Sequence, residues 1–150
     1  MTQDAEIHAF LLRHLQAIMT NDVETYHATT GEGLTLYEWW VTPHRLDGLP
    51  FHDFMMQENA RQGSVFGAEA SAPVDKVDTA HVRFDLANLH IQTYADTAIA
   101  SYTLLVSSGG REGVKVAAHN ESRVIVKLNG RWKVVHVHKS PAWSAPHVAL

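Results

Sequence analysis

Glu121, Arg123, His136 and His138 are the residues whose types and spacing most directly suggest chemistry. They flank Asn129-Gly130, which lies between two Val-rich runs. That is the strongest short-range hairpin signal, because a type I′ turn needs positive φ at both central residues. A two-residue turn places Lys127 opposite Trp132, Ile125 opposite Val134, Arg123 opposite His136 and Glu121 opposite His138. These pairs share one face, since strand side chains alternate with period two. The other face holds Val124, Val126, Val135 and Val137, with Ser122 and Lys133 among them.

Three chemistries fit the cluster. One is a solvated strand face with paired charges, which adds little stability. A second is a metal site, in which His136 and His138 point the same way and His119 or Glu121 supplies a third ligand. The third is a pocket floor, with Arg123 as a fixed cation held by Glu121 and the two imidazoles as hydrogen-bond donors to an anionic or carbonyl ligand.

Other chemistry-bearing residues are less constrained. His52 and Asp53 are adjacent in a helical stretch, where neighbouring side chains diverge by about 100°, so capping and packing suit them better than a catalytic pair. Tyr37 and Trp39 alternate with Glu38 and Trp40. If Tyr37 and Trp39 face inward, they form an aromatic wall opposite Arg123. Tyr102 lies on a central strand. His8, His14, His27, His44, His81 and His147 have no evident partner, and most are expected at the surface.

The elements that must position these residues follow from hydrophobic period. Ile7, Phe10, Leu11, Leu15, Ile18 and Met19 recur at helical steps over Thr2 to Thr20, with Thr2 or Asp4 as cap. A second short helix is expected over Val23 to Ala28, capped by Asn21 and closed off by Gly31 and Gly33. Leu34 to Val41 has strand composition, and Pro50 suits the first turn of a third helix, Phe51 to Arg61. After a loop holding Gly63, Gly67 and Pro73, strands are expected over Ala80 to Gln92, Thr97 to Ser107, Val114 to Lys127 and Trp132 to Ser140. Helices first and a meander afterwards give an α+β fold, with helices on one face of a curved antiparallel sheet.

Composition bounds the partners. The 150 residues suit one domain, 1–150, large enough to fold without a staple. With no Cys there is no disulfide and no thiolate nucleophile. Lys+Arg 12 against Asp+Glu 16 gives −4, which argues against tracking a nucleic-acid backbone. No run approaches about 18 consecutive apolar residues, and Met1 to Glu6 lacks a basic leader, so a cytoplasmic protein off the membrane is expected.

Several blocks carry a family likeness. Leu34-Thr35-Leu36-Tyr37-Glu38, Asp47-Gly48-Leu49-Pro50-Phe51-His52-Asp53-Phe54, Asn120-Glu121-Ser122-Arg123-Val124 and Gly130-Arg131-Trp132-Lys133-Val134-Val135-His136-Val137-His138-Lys139-Ser140 resemble the association domain of calcium/calmodulin-dependent protein kinase II. The resemblance covers nearly the whole chain. It implies a cone-shaped, nuclear transport factor 2-like (cystatin-like) fold: three N-terminal helices on a strongly curved antiparallel sheet. It further implies a non-catalytic hub that gathers subunits, with a pocket lined by arginines. Only Arg123 carries over; the family's other arginines fall near Thr103-Leu104 and at Lys139, and His90 matches a family His.

The expectation is a freestanding, self-associating domain, at least a dimer through the Val-rich sheet face, with no cofactor or metal. Its pocket would hold a small organic or anionic ligand at Arg123, Glu121, His136, His138, Tyr37, Trp39, Tyr102 and His90. The alternative is an isomerase, cyclase or dehydratase resembling ketosteroid isomerases and SnoaL-like cyclases, with His136 or His138 as base and Tyr37 or Tyr102 as oxyanion donor.

Overall fold

The computed structural model describes residues 2–62, 82–111 and 113–142. The segment with Gly63, Gly67, Pro73 and His81, and the C-terminal residues with His147, lie outside it. Helix α1 (Gln3–Met19) starts where the Thr2 hydroxyl accepts from the Ala5 amide, and it buries Ile7, Leu11, Leu15 and Ile18 along one face. α2 (Val23–Thr29) is capped by Asp22, which accepts from the Thr25 amide at 3.1 Å. The cap expected at Asn21 moves one residue on because Asn21 adopts a left-handed φ of 54°, unlike the extended backbone of a helix cap.

β1 (Thr30–Tyr37) includes Gly31 and Gly33, the expected break, and stops at Tyr37. The chain then leaves the sheet in a turn, with the Val41 and Thr42 amides donating to the Glu38 carbonyl, so Trp39 and Trp40 are not strand residues. β2 (Leu46–Asp47) and α3 (Leu49–Gln62) follow, then β3 (Val82–Tyr94), β4 (Thr97–Gly110), β5 (Gly113–Leu128) and β6 (Arg131–Pro141).

The six strands form one curved sheet in the order β2-β1-β6-β5-β4-β3, antiparallel except where β1 and β6 run parallel. Alternation along β4 sends Ala98, Ala100, Tyr102, Leu104 and Val106 inward. They join Ile125, Val134 and Val137 and the apolar faces of α1 and α2 in one core.

The β5–β6 hairpin turns as expected, with φ of 51° at Asn129 and 78° at Gly130. Pairing runs Leu128–Arg131, Lys127–Trp132, Val126–Lys133 and Ile125–Val134, and then slips. Val124 pairs with His136, leaving Val135 as the extra residue of a β-bulge. From there Arg123 lies opposite Val137 and Glu121 opposite Lys139. A one-residue slip exchanges the two faces of a strand. It buries Val137 and Lys139 beside Arg123 and Glu121, and turns His136 and His138 to the outer face. The expected pairing of those imidazoles with Arg123 and Glu121 is thereby overturned: burying Val137 and giving Lys139 a carboxylate partner outweighs burying two imidazoles.

Candidate functional site

Five elements deliver polar side chains to one point inside the cone. β5 contributes His119, Glu121 and Arg123 at alternate positions, β4 contributes Tyr102, β6 Lys139, α3 His52, and the turn after β1 Glu38. The Tyr102 hydroxyl donates to Glu121 Oε1 at 2.7 Å and accepts from Arg123 Nη1 at 2.7 Å. Arg123 also pairs directly with Glu121, whose other oxygen meets His119 Nε2 at 2.6 Å. Lys139 Nζ donates to Glu38 Oε1 at 2.7 Å and stands 3.8 Å from Glu121 Oε2. His52 Nε2 is 3.5 Å from Glu38 Oε1. The Trp40 ring lies 5.1 Å from the Lys139 ammonium, and Trp39 and Trp40 flank His119.

The charges balance: Arg123 and Lys139 face Glu38 and Glu121. Burial pushes the Glu121 carboxyl up, but Arg123 and Lys139 prevail and hold it well below the usual carboxylate range. Burial likewise raises Glu38, and Lys139 and His52 override it to bring it down to about 2. The Tyr102 hydroxyl is pushed well up by burial, with Arg123 opposing. Both carboxylates are therefore ionised, weak proton acceptors, an arrangement suited to holding a polar group rather than moving a proton.

A gap about one water molecule in size adjoins the cluster, lined by Leu15, Ile18, Met19 and Leu104 on the apolar side and by His119, Glu121, Arg123 and Lys139 on the other. Arg123 Nε and His119 Nδ1, on side chains that line it, and Glu38 Oε2 and Trp40 Nε1 elsewhere in the cluster are buried without a hydrogen-bond partner among the described residues. Among those residues there is no group of three or more His, Asp or Glu side chains placed to hold a metal ion.

Arg123, Glu121 and Tyr102 thus come together as expected. His136 and His138 do not join them: His136 Nδ1 meets Thr35 Oγ1 at 2.7 Å, and the Tyr37 ring packs 5.0 Å from His138, all on the outer side of the sheet. The anticipated inner aromatic wall is corrected accordingly. Leu34, Leu36 and Glu38 point inward and Tyr37 does not, while Trp39 stands part-exposed at the rim beside His119. His90 is exposed on β3 opposite Ser101. His14, expected at the surface, is buried. Sequence reasoning missed Glu38, Lys139 and His52, and weighed His119 only as a metal ligand. His14 and His52 carried a signal, since each shares a helical stripe with buried apolar residues: Leu11 and Ile18 for the first, Leu49 and Met56 for the second.

Three helices wrapped by a curved sheet around a polar interior define the nuclear transport factor 2-like, cystatin-like fold. A nuclear transport factor 2-like protein from Cytophaga hutchinsonii shares it at 16% identity, with a TM-score of 0.70 over 94% of this chain and 99% of that one. Within this fold, the chain belongs to the calcium/calmodulin dependent protein kinase II association domain family, whose model matches residues 3–66 and 74–143. The association domain of the Caenorhabditis elegans kinase is 26% identical, with a TM-score of 0.73 over 92% of this chain and 95% of that one. The calcium/calmodulin-dependent protein kinase type II of Caenorhabditis elegans is 29% identical over 127 residues, covering 84% of this chain and 15% of the kinase. The chain spans 15% to 22% of the length of the curated relatives it matches. No helix among the described residues is long and apolar enough to cross a membrane.

Proposed function

We propose that this protein is a self-associating domain that assembles copies of itself through the outer face of the sheet. The observation that carries the reading is a charge-free surface. Every outward position of β4 from Thr97 to Ser107 and of β5 from Val114 to Val126 is uncharged: Thr97, Ile99, Ser101, Thr103, Leu105 and Ser107 on one strand, Val114, Val116, Ala118, Asn120, Ser122, Val124 and Val126 on the other. Val114 and Val116 are 72% and 57% exposed, and the described helices pack on the opposite face. Depletion of charge over a contiguous, partly apolar patch is the compositional mark of an interface core. Membership of an association-domain family supports the same reading. Val124→Lys tests it. The variant is expected to sediment as a smaller species than the wild type with an unchanged far-UV spectrum; an unchanged sedimentation coefficient would place the contact elsewhere.

A second role is favoured by the unpartnered atoms Arg123 Nε, His119 Nδ1, Glu38 Oε2 and Trp40 Nε1. Buried polar groups left without partners mark places where water or a ligand sits. The gap, about one water molecule in size as it stands, is proposed to widen around a small polar organic ligand that Arg123 Nε and His119 Nδ1 would meet. A thermal-shift screen of small carboxylic acids, amides and polyols tests this: a true ligand raises Tm in the wild type and not in Met19→Phe, which fills the gap. The isomerase or cyclase alternative assigned its base to His136 or His138, and those side chains lie on the outer face.

A further inference from the structure

A column of aromatic rings crosses the helical layer and ends on the charge cluster. Phe10 and His14 of α1 stack with centroids 6.2 Å apart, as do His14 and Tyr26 of α2 at 5.3 Å, and Tyr26 packs tilted against His52 of α3 at 4.9 Å. His52 then stands 3.5 Å from Glu38, the partner of Lys139. His14, Tyr26 and His52 are all sealed from solvent.

Hydrogen bonding assigns the proton on His14. The Thr29 hydroxyl can place its proton on the carbonyl of Thr25 at 3.0 Å or of Tyr26 at 3.2 Å and offer a lone pair to the ring, whereas placing it on Nδ1 would leave an Nε2–H buried with no acceptor. His14 Nδ1 is therefore the donor of the 2.8 Å contact with Thr29 Oγ1. Nε2 is left as a bare acceptor, buried and with no hydrogen-bond partner among the described residues. A proton added there would create an N–H with nothing to accept it.

We propose that the His14–Tyr26–His52 column is an acid-operated latch between the helices and the sheet, which releases when protons reach His14 Nε2 and His52. The groups facing the column are Asp53 from α3, Glu38 from the turn after β1, Tyr102 from β4, His119, Glu121 and Arg123 from β5, and Lys139 from β6. Arg123 and Lys139 are already matched by Glu121 and Glu38. An imidazolium is thus an excess positive charge in a dry site, and opening the helical layer is what gives it water.

Burial, and after it Arg123, holds His14 uncharged to well below 6.5, and burial lowers His52 against the opposing pull of Glu38. Both folded values lie below the unfolded one, so the closed state is fully favoured above pH 6.5 and loses ground as pH falls below it. That window lies above the one in which Glu38 and Glu121 take up protons.

Hydrogen exchange of the full chain between pH 7.5 and 5.0, corrected for intrinsic exchange, tests the latch. Below about pH 6, the opening constant of α1 amides is expected to rise about tenfold per pH unit for each histidine that must be protonated, approaching a hundredfold for both. His14→Phe keeps a stacked ring and has no proton site; its slope is expected to fall to about tenfold per unit, while the outward His138→Gln leaves the slope unchanged. Should His14→Phe fail to fold, ¹⁵N spectra of the wild type give the same answer, with His14 Nε2 unprotonated until α1 loses protection. Opening that ignores pH, an unaltered slope in His14→Phe, or His14 titrating near 6.5 while α1 stays protected would each overturn the latch.

Discussion

Glu38 and Lys139 are 101 positions apart in the chain, yet their side chains meet at 2.7 Å with neither open to solvent. The contact ties the turn after β1 to the far end of β6 and closes the polar interior on one side.

This pair sets an acid limit on stability. Glu38 titrates at about 2 in the folded chain against an ordinary 4.5, so its contribution is present above 4.5 and is lost as pH falls toward 2. The difference corresponds to about 3 kcal/mol. Lys139→Met removes the ammonium that holds Glu38 down. Urea midpoints from pH 7 to 2.5 should show the variant destabilised at neutral pH and with a flatter acid limb than the wild type.

Glu121 and Arg123 form the second buried pair, and each partner alone is a liability. Arg123→Met leaves an uncompensated carboxylate among Tyr102, His119 and Lys139 and should cost about 3–5 kcal/mol. Arg123→Met with Glu121→Gln should lose less than the sum of the two single changes. A double-mutant cycle in guanidinium reads the difference; additive effects would mean that the two side chains act independently.

Val135 decides which side chains enter the cone. Deleting it would remove the bulge and bring His136 into its place, so that Val134, Val137 and Lys139 alternate inward along a regular strand and Arg123 stays opposite Val137. Retention of the cooperative thermal transition and of near-UV ellipticity is the expected outcome, because the same side chains enter the cone. A deletion variant without a cooperative transition would show that the bulge itself, and not only the facing it sets, is required.

The same bulge marks the boundary of what was legible. The three helices, the four long strands and the Asn129-Gly130 turn follow from period, caps and turn chemistry, which act over a few residues. Arg123 and Glu121 were found because strand alternation from the hairpin places them on one face, whereas for Tyr102 only its central strand was legible and not the side it faces. The slip at Val135 has no local signature: in Val134-Val135-His136-Val137-His138 both registers alternate equally well, and only the burial of Val137 and the Glu38 contact of Lys139 choose between them. Trp39 and Trp40 have strand composition, and the turn that removes them from the sheet carries Glu38 inward. His14 was legible through its helical stripe, but a residue-type expectation of exposure masked the periodicity, while His52 was read as capping and packing without its approach to Glu38.

Self-association through the outer sheet face is the central claim, and absolute molar mass in solution tests it most directly. Light scattering on the unmodified chain at micromolar concentration, repeated on dilution, should give a whole-number multiple of 16.7 kDa, two or more. A mass of 16.7 kDa at every concentration would contradict the account.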